Sequence, residues 1–132
     1  MINSCRVKDF MNVKLITFNV DMEVMEAVRI MTKHGISGGP VVDENSKLLG
    51  MITEKDCLKI VLNAGYYNEW GGSIREFMSH EVESVDDNMT LVDLAEKFLH
   101  GPYRRFPVVN KGRLVGQVSR HDVLKALLSL TH

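Results

Sequence analysis

One phrase occurs twice in this chain, and its two copies lie in register within a repeat that covers nearly all of it. The first copy reads Gly50-Met51-Ile52-Thr53-Glu54-Lys55-Asp56, the second Gly116-Gln117-Val118-Ser119-Arg120-His121-Asp122. Pro-Val-Val precedes each, at Pro40-Val41-Val42 and Pro107-Val108-Val109. A shift of about 67 residues also aligns Val7-Lys8-Asp9-Phe10-Met11 with Ile74-Arg75-Glu76-Phe77-Met78, and Thr17-Phe18 with Ser84-Val85. One deletion, at the turn Asn110-Lys111-Gly112-Arg113, keeps the copies in step. A period this long excludes a solenoid, and two copies predict a pseudo-twofold pair.

Each copy has the same local grammar. Val24, Ala27, Val28 and Met31 mark one face of a helix over 22–34, with Asp21 as the expected N-cap and Gly35 as the stop. Leu91, Leu94, Ala95 and Phe98 repeat that stripe, with Asn88 as the expected cap and Gly101-Pro102 as the stop. Pro-Val-Val, a polar turn and a second apolar run, Leu48 to Ile52 or Leu114 to Val118, predict a β-hairpin. A second helix follows, carrying Leu58, Val61 and Leu62, or Val123, Leu124, Leu127 and Leu128. We therefore expect an α/β (α+β) fold of two pseudo-twofold-related β-α-β-β-α repeats. The first spans 1–66, a linker 67–73, and the second 74–132. A lone copy would leave a broad apolar helix face bare, so the copies should pack together. The joining segment from Asn63 to Ser73 holds the only Trp and two of three Tyr, so Tyr66, Tyr67 and Trp70 should cover a groove or seam, or form an exposed docking patch.

Composition removes several function classes. A formal net charge of -1 over 132 residues gives no field that would hold nucleic acid or an anionic membrane. The apolar runs are too short for membrane insertion. The polar N-terminus does not suit a signal peptide, and Cys5 and Cys57 read as free thiols, so a cytoplasmic location is expected. The five histidines lie scattered, without metal-ligand spacing. No nucleophile–base set and no phosphate-cradling glycine loop occurs, so no catalytic residue is assigned and no cofactor is required.

The tandem β-α-β-β-α order, the Pro-Val-Val pairs and Gly-x-x-Thr/Ser-x-x-Asp in both copies resemble a cystathionine-β-synthase (CBS) domain pair, a Bateman module. The resemblance implies a regulatory module, not an enzyme. Its ligand would be an adenosine-type molecule: AMP, ADP, ATP or S-adenosylmethionine. It also implies two inter-repeat clefts. One would use Thr53 and Asp56 with Ser84, Val85, Arg104, Arg105, Phe106 and Pro107. The other would use Ser119 and Asp122 with Thr17, Phe18, Gly38, Gly39 and Pro40. Flat homodimers through the helices are a further implication, as is signalling to a separate effector protein.

The chemistry suits that reading. A carboxylate such as Asp56 or Asp122 accepts two hydrogen bonds, and a ribose diol offers two adjacent donors. Thr53 and Ser119 stand where a strand turns into a helix, beside backbone N–H groups that can meet a phosphate. The same residues are also ordinary helix caps. Phe18 and Val85 are candidates to flank an adenine. Arg104-Arg105, where the first copy has Ser37-Gly38, is the sharpest difference between the copies and suits a phosphorylated ligand. Ligand-independent interaction through vestigial clefts is the alternative.

Overall fold

Short β-branched runs bounded by glycine, proline and polar turns make the strands, and amphipathic stripes make the helices between them. The structure is a computed structural model that describes residues 2–131. Its elements are β1 (Phe18–Asn19), α1 (Val24–His34), β2 (Gly38–Val42), β3 (Leu48–Thr53), α2 (Glu54–Tyr67), α3 (Ile74–Phe77), β4 (Val85–Asp86), α4 (Leu91–Leu99), β5 (Arg105–Asn110), β6 (Arg113–Ser119) and α5 (Arg120–Leu130). Two three-stranded sheets result, ordered β1-β2-β3 and β4-β5-β6. In each, the first pairing is parallel and the second is an antiparallel hairpin. The mixed α/β class and the duplicated β-α-β-β-α order are both present.

The hairpin turns differ by the deleted residue. In the first, Asp43 Oδ1 accepts from the N–H groups of Asn45 and Lys47, and Ser46 has φ 64°. In the second, Lys111 and Gly112 both have positive φ, 52° and 82°. That is the two-residue geometry whose twist matches a hairpin.

The chain divides into two compact units. The first is Ile16–Val82. The second joins the residues up to Leu15 to those from Glu83 onward. Each unit thus takes the sheet and helices of one copy and the leading segment of the other. In the first unit, Ser79 and Met51 exchange two main-chain hydrogen bonds of 2.9 and 3.0 Å. In the second, Asn12 and Gln117 do the same at 2.8 and 2.9 Å. The glycine of the repeated phrase stands beside each crossing. A Cβ at Gly50 would collide with the Ser79 carbonyl oxygen, and one at Gly116 would lie 2.7 Å from Met11 Sδ.

The crossings also correct the expected caps. Helix α1 begins at Val24 with Glu23 at its N-cap position, not Asp21. The Val24 N–H donates to the Gly72 carbonyl at 2.8 Å, so remote main chain replaces a capping side chain. Helix α4 is capped by Thr90, whose hydroxyl accepts from the Asp93 N–H at 3.1 Å. Asn88 instead closes a turn on Asp86. The Leu91 N–H donates to the Cys5 carbonyl, the counterpart of Val24 with Gly72. Gly35 does end α1, in left-handed conformation with its N–H on the Met31 carbonyl. Helix α2 runs on through Tyr67, so Asn63 to Tyr67 are helical and not a flexible joint.

The cores are equivalent but differently filled. Phe18 on β1 lies against Gly39, where a Cβ would be 2.9 Å from the ring. In the second unit the corresponding positions hold Val85 and Phe106. The ring has moved from the first strand to the second, where it packs on Phe98 at 4.8 Å between centroids. Burial of one such side chain contributes about 1.5–3 kcal/mol, so either arrangement fills the same need.

Candidate functional site

Strand β1 pairs only with Val41 and Val42 of β2, and β4 only with Val108 and Val109 of β5. Among the described residues, the leading halves of the central strands, Gly38–Pro40 and Arg105–Pro107, therefore have no strand partner on that side. Thr17 and Ser84 sit just before β1 and β4. Proline at the third position lacks an N–H, so the bare edge is short and offers few donors. Across the hairpin, Gly38 lies opposite Thr53 and Arg105 opposite Ser119. Each unit thus brings its own strand edge to its own Thr/Ser-x-x-Asp turn.

At that turn the side chains form reciprocal helix caps. The Thr53 N–H and hydroxyl both donate to Asp56 Oδ2, at 2.9 and 3.0 Å, and the Asp56 N–H donates to Thr53 Oγ1 at 3.3 Å. The Ser119 N–H donates to Asp122 Oδ2 at 2.8 Å, and the Asp122 N–H to Ser119 Oγ at 3.1 Å. One carboxylate oxygen in each pair is committed to the cap. The other, Oδ1, has no hydrogen bond among the described residues, and both aspartates are only partly buried. The cap holds each carboxylate in one orientation and leaves one oxygen to act as acceptor.

Phe18 and Val85, the side chains expected to flank a ring, are buried, and so is Phe106. Phe18 is 0% exposed, Val85 1% and Phe106 0%. All three fill the cores of their own units, so their side chains do not face a ligand. Gly39, Pro40 and Pro107 are buried as well, whereas Thr17 is exposed and Ser84 and Gly38 are half-buried. Gly38 has φ 155°, and a Cβ there would collide with the Ile52 carbonyl oxygen. Both residue sets implied by the resemblance draw on both units. Within the first unit stand Thr17, Phe18, Gly38, Gly39, Pro40, Thr53 and Asp56. Within the second stand Ser84, Val85, Arg104, Arg105, Phe106, Pro107, Ser119 and Asp122.

Arg104 and Arg105 are exposed at the second edge. Arg120 joins them: its N–H donates to the Arg104 carbonyl at 3.0 Å, and its Nε to the Tyr103 carbonyl at 2.8 Å. The sequence reading left Tyr103 out. Its ring, 5.1 Å from Phe106, connects the edge to the core. Among the described residues no group of His, Cys, Asp and Glu is arranged to hold a metal ion.

Beside the first edge, a groove of about 890 Å³ runs between α1 and α2, lined by Met25, Val28, Met31, Leu58, Val61 and Trp70 among others. Cys57 lines it too. Burial pushes its thiol up, and the Asp56 and Glu54 carboxylates add to this. Burial likewise raises Cys5, with Asp9 contributing. Tyr66, Tyr67 and Trp70 are exposed.

The CBS domain family model matches residues 7–63 and again 74–129. The chain belongs to the CBS-domain family. As a CBS pair it has close structural counterparts. The structure of CBSX2 in complex with AMP, a protein of Arabidopsis thaliana, superposes with a TM-score of 0.78 at 27% identity, covering 97% of this chain and 99% of that one. The CBS domain pair of protein MJ0100, in complex with 5-methylthioadenosine and S-adenosyl-L-methionine, gives 0.69 at 31% identity, covering 96% and 98%. Among curated relatives, the CBS domain-containing protein YhcV of Bacillus subtilis is 33% identical over 118 residues, 89% of this chain and 81% of that protein. The chain spans 42% of the length of a relative of Methanocaldococcus jannaschii, and 22% of the inosine-5'-monophosphate dehydrogenase of Aquifex aeolicus. In such relatives the CBS pair is one part of a longer chain. No helix among the described residues is long and apolar enough to cross a membrane.

Proposed function

We propose that this CBS pair is a non-enzymatic sensor that binds an adenosine-type ligand and passes its occupancy to a separate effector protein. AMP, ADP, ATP and S-adenosylmethionine are the candidate ligands. The observation that carries this reading is the pair of oriented carboxylates: Asp56 and Asp122 each spend one oxygen on the cap and keep Oδ1 unpartnered among the described residues, beside a strand edge that no other strand pairs. A ribose diol supplies two donors, which the two lone pairs of a carboxylate Oδ1 can accept, and the edge main chain can read an adenine. The complexes of CBSX2 with AMP and of the MJ0100 pair with adenosyl ligands support the ligand class. We group the ligand residues within units, with Thr53 and Asp56 beside Thr17 and Gly38–Pro40, and Ser119 and Asp122 beside Ser84 and Arg104–Pro107. Binding would act by favouring one arrangement of the protein over another.

We further propose a homodimer. Leu58, Val61 and Leu62 on α2, and Leu124 and Leu128 on α5, are all more than half exposed, an unusual loss for helices of this length. A second copy would cover both faces, and sedimentation of a Leu58→Asp, Leu124→Asp variant as a monomer is the expected result.

Calorimetric titration with the four ligands tests the sensor reading. Asp56→Asn with Asp122→Asn keeps an acceptor for each cap but removes the charge, and affinity should fall at least about tenfold. Parent-like binding by that variant would sink the placement of the site. One observation favours the alternative, a ligand-independent interaction module: the Thr53–Asp56 and Ser119–Asp122 pairs form reciprocal helix caps, a role that needs no ligand. Absence of heat and of thermal stabilisation with every adenosyl ligand would decide for it.

A further inference from the structure

The two edges carry opposite charge at equivalent positions. At the second edge, Arg104, Arg105 and Arg120 stand with Asp122. At the first, the same positions hold Ser37, Gly38 and Glu54, with Asp56. Three guanidiniums and one carboxylate therefore correspond to two carboxylates. At the next position His121 corresponds to Lys55, an ammonium at the first edge. None of the three arginines is in an ion pair among the described residues, and all are exposed. Their backbones are tied together, since Arg105 faces Ser119 across the hairpin and Arg120 donates to the Arg104 carbonyl. Uncompensated guanidiniums gathered by one turn are a ready site for the forked recognition of phosphate oxygens. Glu54, by contrast, repels an anion at the first edge, and Gly38 cannot be replaced by a basic side chain without meeting the Ile52 carbonyl.

We infer that the edges are sorted by ligand charge. The Arg105–Ser119 edge takes a nucleoside polyphosphate, and the Gly38–Thr53 edge takes an adenosyl ligand without phosphate, uncharged or cationic in its tail. This rests on the adenosine reading above and deepens it. Both arginines at 104 and 105 are solvent-exposed and in no ion pair among the described residues, so Arg104→Ser with Arg105→Gly, the residues of the first edge, should leave the fold intact, with only the small drop in melting temperature that a glycine in a strand brings.

The test is calorimetric titration of the full chain with ADP, with 5'-methylthioadenosine, and with inorganic pyrophosphate as a nucleoside-free probe. The double variant should lose at least about tenfold in affinity for ADP and for pyrophosphate, while methylthioadenosine binds as before. ADP affinity should also fall as salt rises, because partly exposed charge pairs are screened. A second variant, Arg105→Lys, keeps the charge but loses the fork and should fall between the two. Equal loss for ADP and methylthioadenosine, or parent-like ADP binding by the double variant, would overturn charge sorting and leave the adenosine reading standing. Silence of both adenosyl ligands with arginine-dependent pyrophosphate binding would overturn the adenosine reading and keep the anion edge.

Discussion

The two units share a topology and a crossing segment, yet they distribute bulk and charge differently. The first unit places its ring on β1, keeps glycine at two successive positions of β2, and carries Glu54 at the start of its helix. The second places its ring on β5, precedes it with two arginines, and carries Arg120 at the equivalent helix start. What survives in both is the set of contacts that closes the sheet: the strand crossing beside glycine and the reciprocal Thr/Ser–Asp cap. What diverges lies on the bare edge of the central strand. The comparison teaches that duplication preserves the frame that orients a carboxylate and leaves the neighbouring edge free to differ in ligand.

The largest expected effect separates the two crossings. Gly50→Ala drives a Cβ into the Ser79 carbonyl, which is main chain, whereas Gly116→Ala first meets the flexible Met11 side chain. Overpacking of this kind costs about 1–3 kcal/mol, and Gly50→Ala should lie at the upper end and Gly116→Ala nearer the lower in urea unfolding. Equal losses would break the distinction between main chain that cannot move at Gly50 and a side chain that can at Gly116. A smaller effect sharpens the exchange of rings. Gly39→Ala crowds Phe18, so pairing it with Phe18→Val should cost less than the sum of the two single changes. The coupling should be on the order of 0.5–3 kcal/mol in a double-mutant cycle. Strict additivity would mean that ring and glycine are not exchanged for volume. The smallest difference concerns the caps. Thr53 both accepts from Asp56 and donates to it, while Ser119 Oγ only accepts from Asp122. Thr53→Ala should therefore destabilise more than Ser119→Ala, within the range of about 0.5–2 kcal/mol that caps contribute. Thermal unfolding showing the reverse order would count against the extra hydrogen bond.

Much of the fold was legible because period and repetition are local and cumulative. The stripes of Val24, Ala27 and Met31, and of Leu91, Leu94 and Phe98, mark helices that do form, and both hairpins lie where Pro-Val-Val and the polar turns place them. The helix starts were misread for a definite reason. Asp21 and Asn88 are good capping residues, but the first N–H groups of α1 and α4 find the Gly72 and Cys5 carbonyls, which arrive from distant chain. A main-chain carbonyl leaves no mark on composition. The joining segment Asn63 to Ser73 begins inside α2, because the helix continues past Gly65 to Tyr67 and stops only where Asn68 adopts φ 55°.

Of the candidate site, the Thr/Ser-x-x-Asp phrase could be read directly, since a cap needs residues three apart. Phe18, Val85 and Phe106 could not be sorted into core or surface by type, because an apolar residue in a strand looks the same whichever face it takes. Arg120 lay inside the repeated phrase, but its partnership with Tyr103 and Arg104 depends on the hairpin bringing β5 and β6 together.

The sequence by itself determined the duplication, the order of elements in each copy and the family, because these follow from spacing that a linear pattern records. Tertiary structure alone decided which leading segment completes which unit, why Gly50 and Gly116 must lack a side chain, and which strand edge each carboxylate accompanies. These rest on contacts between residues far apart in the chain, where main chain meets main chain and side-chain identity carries little information.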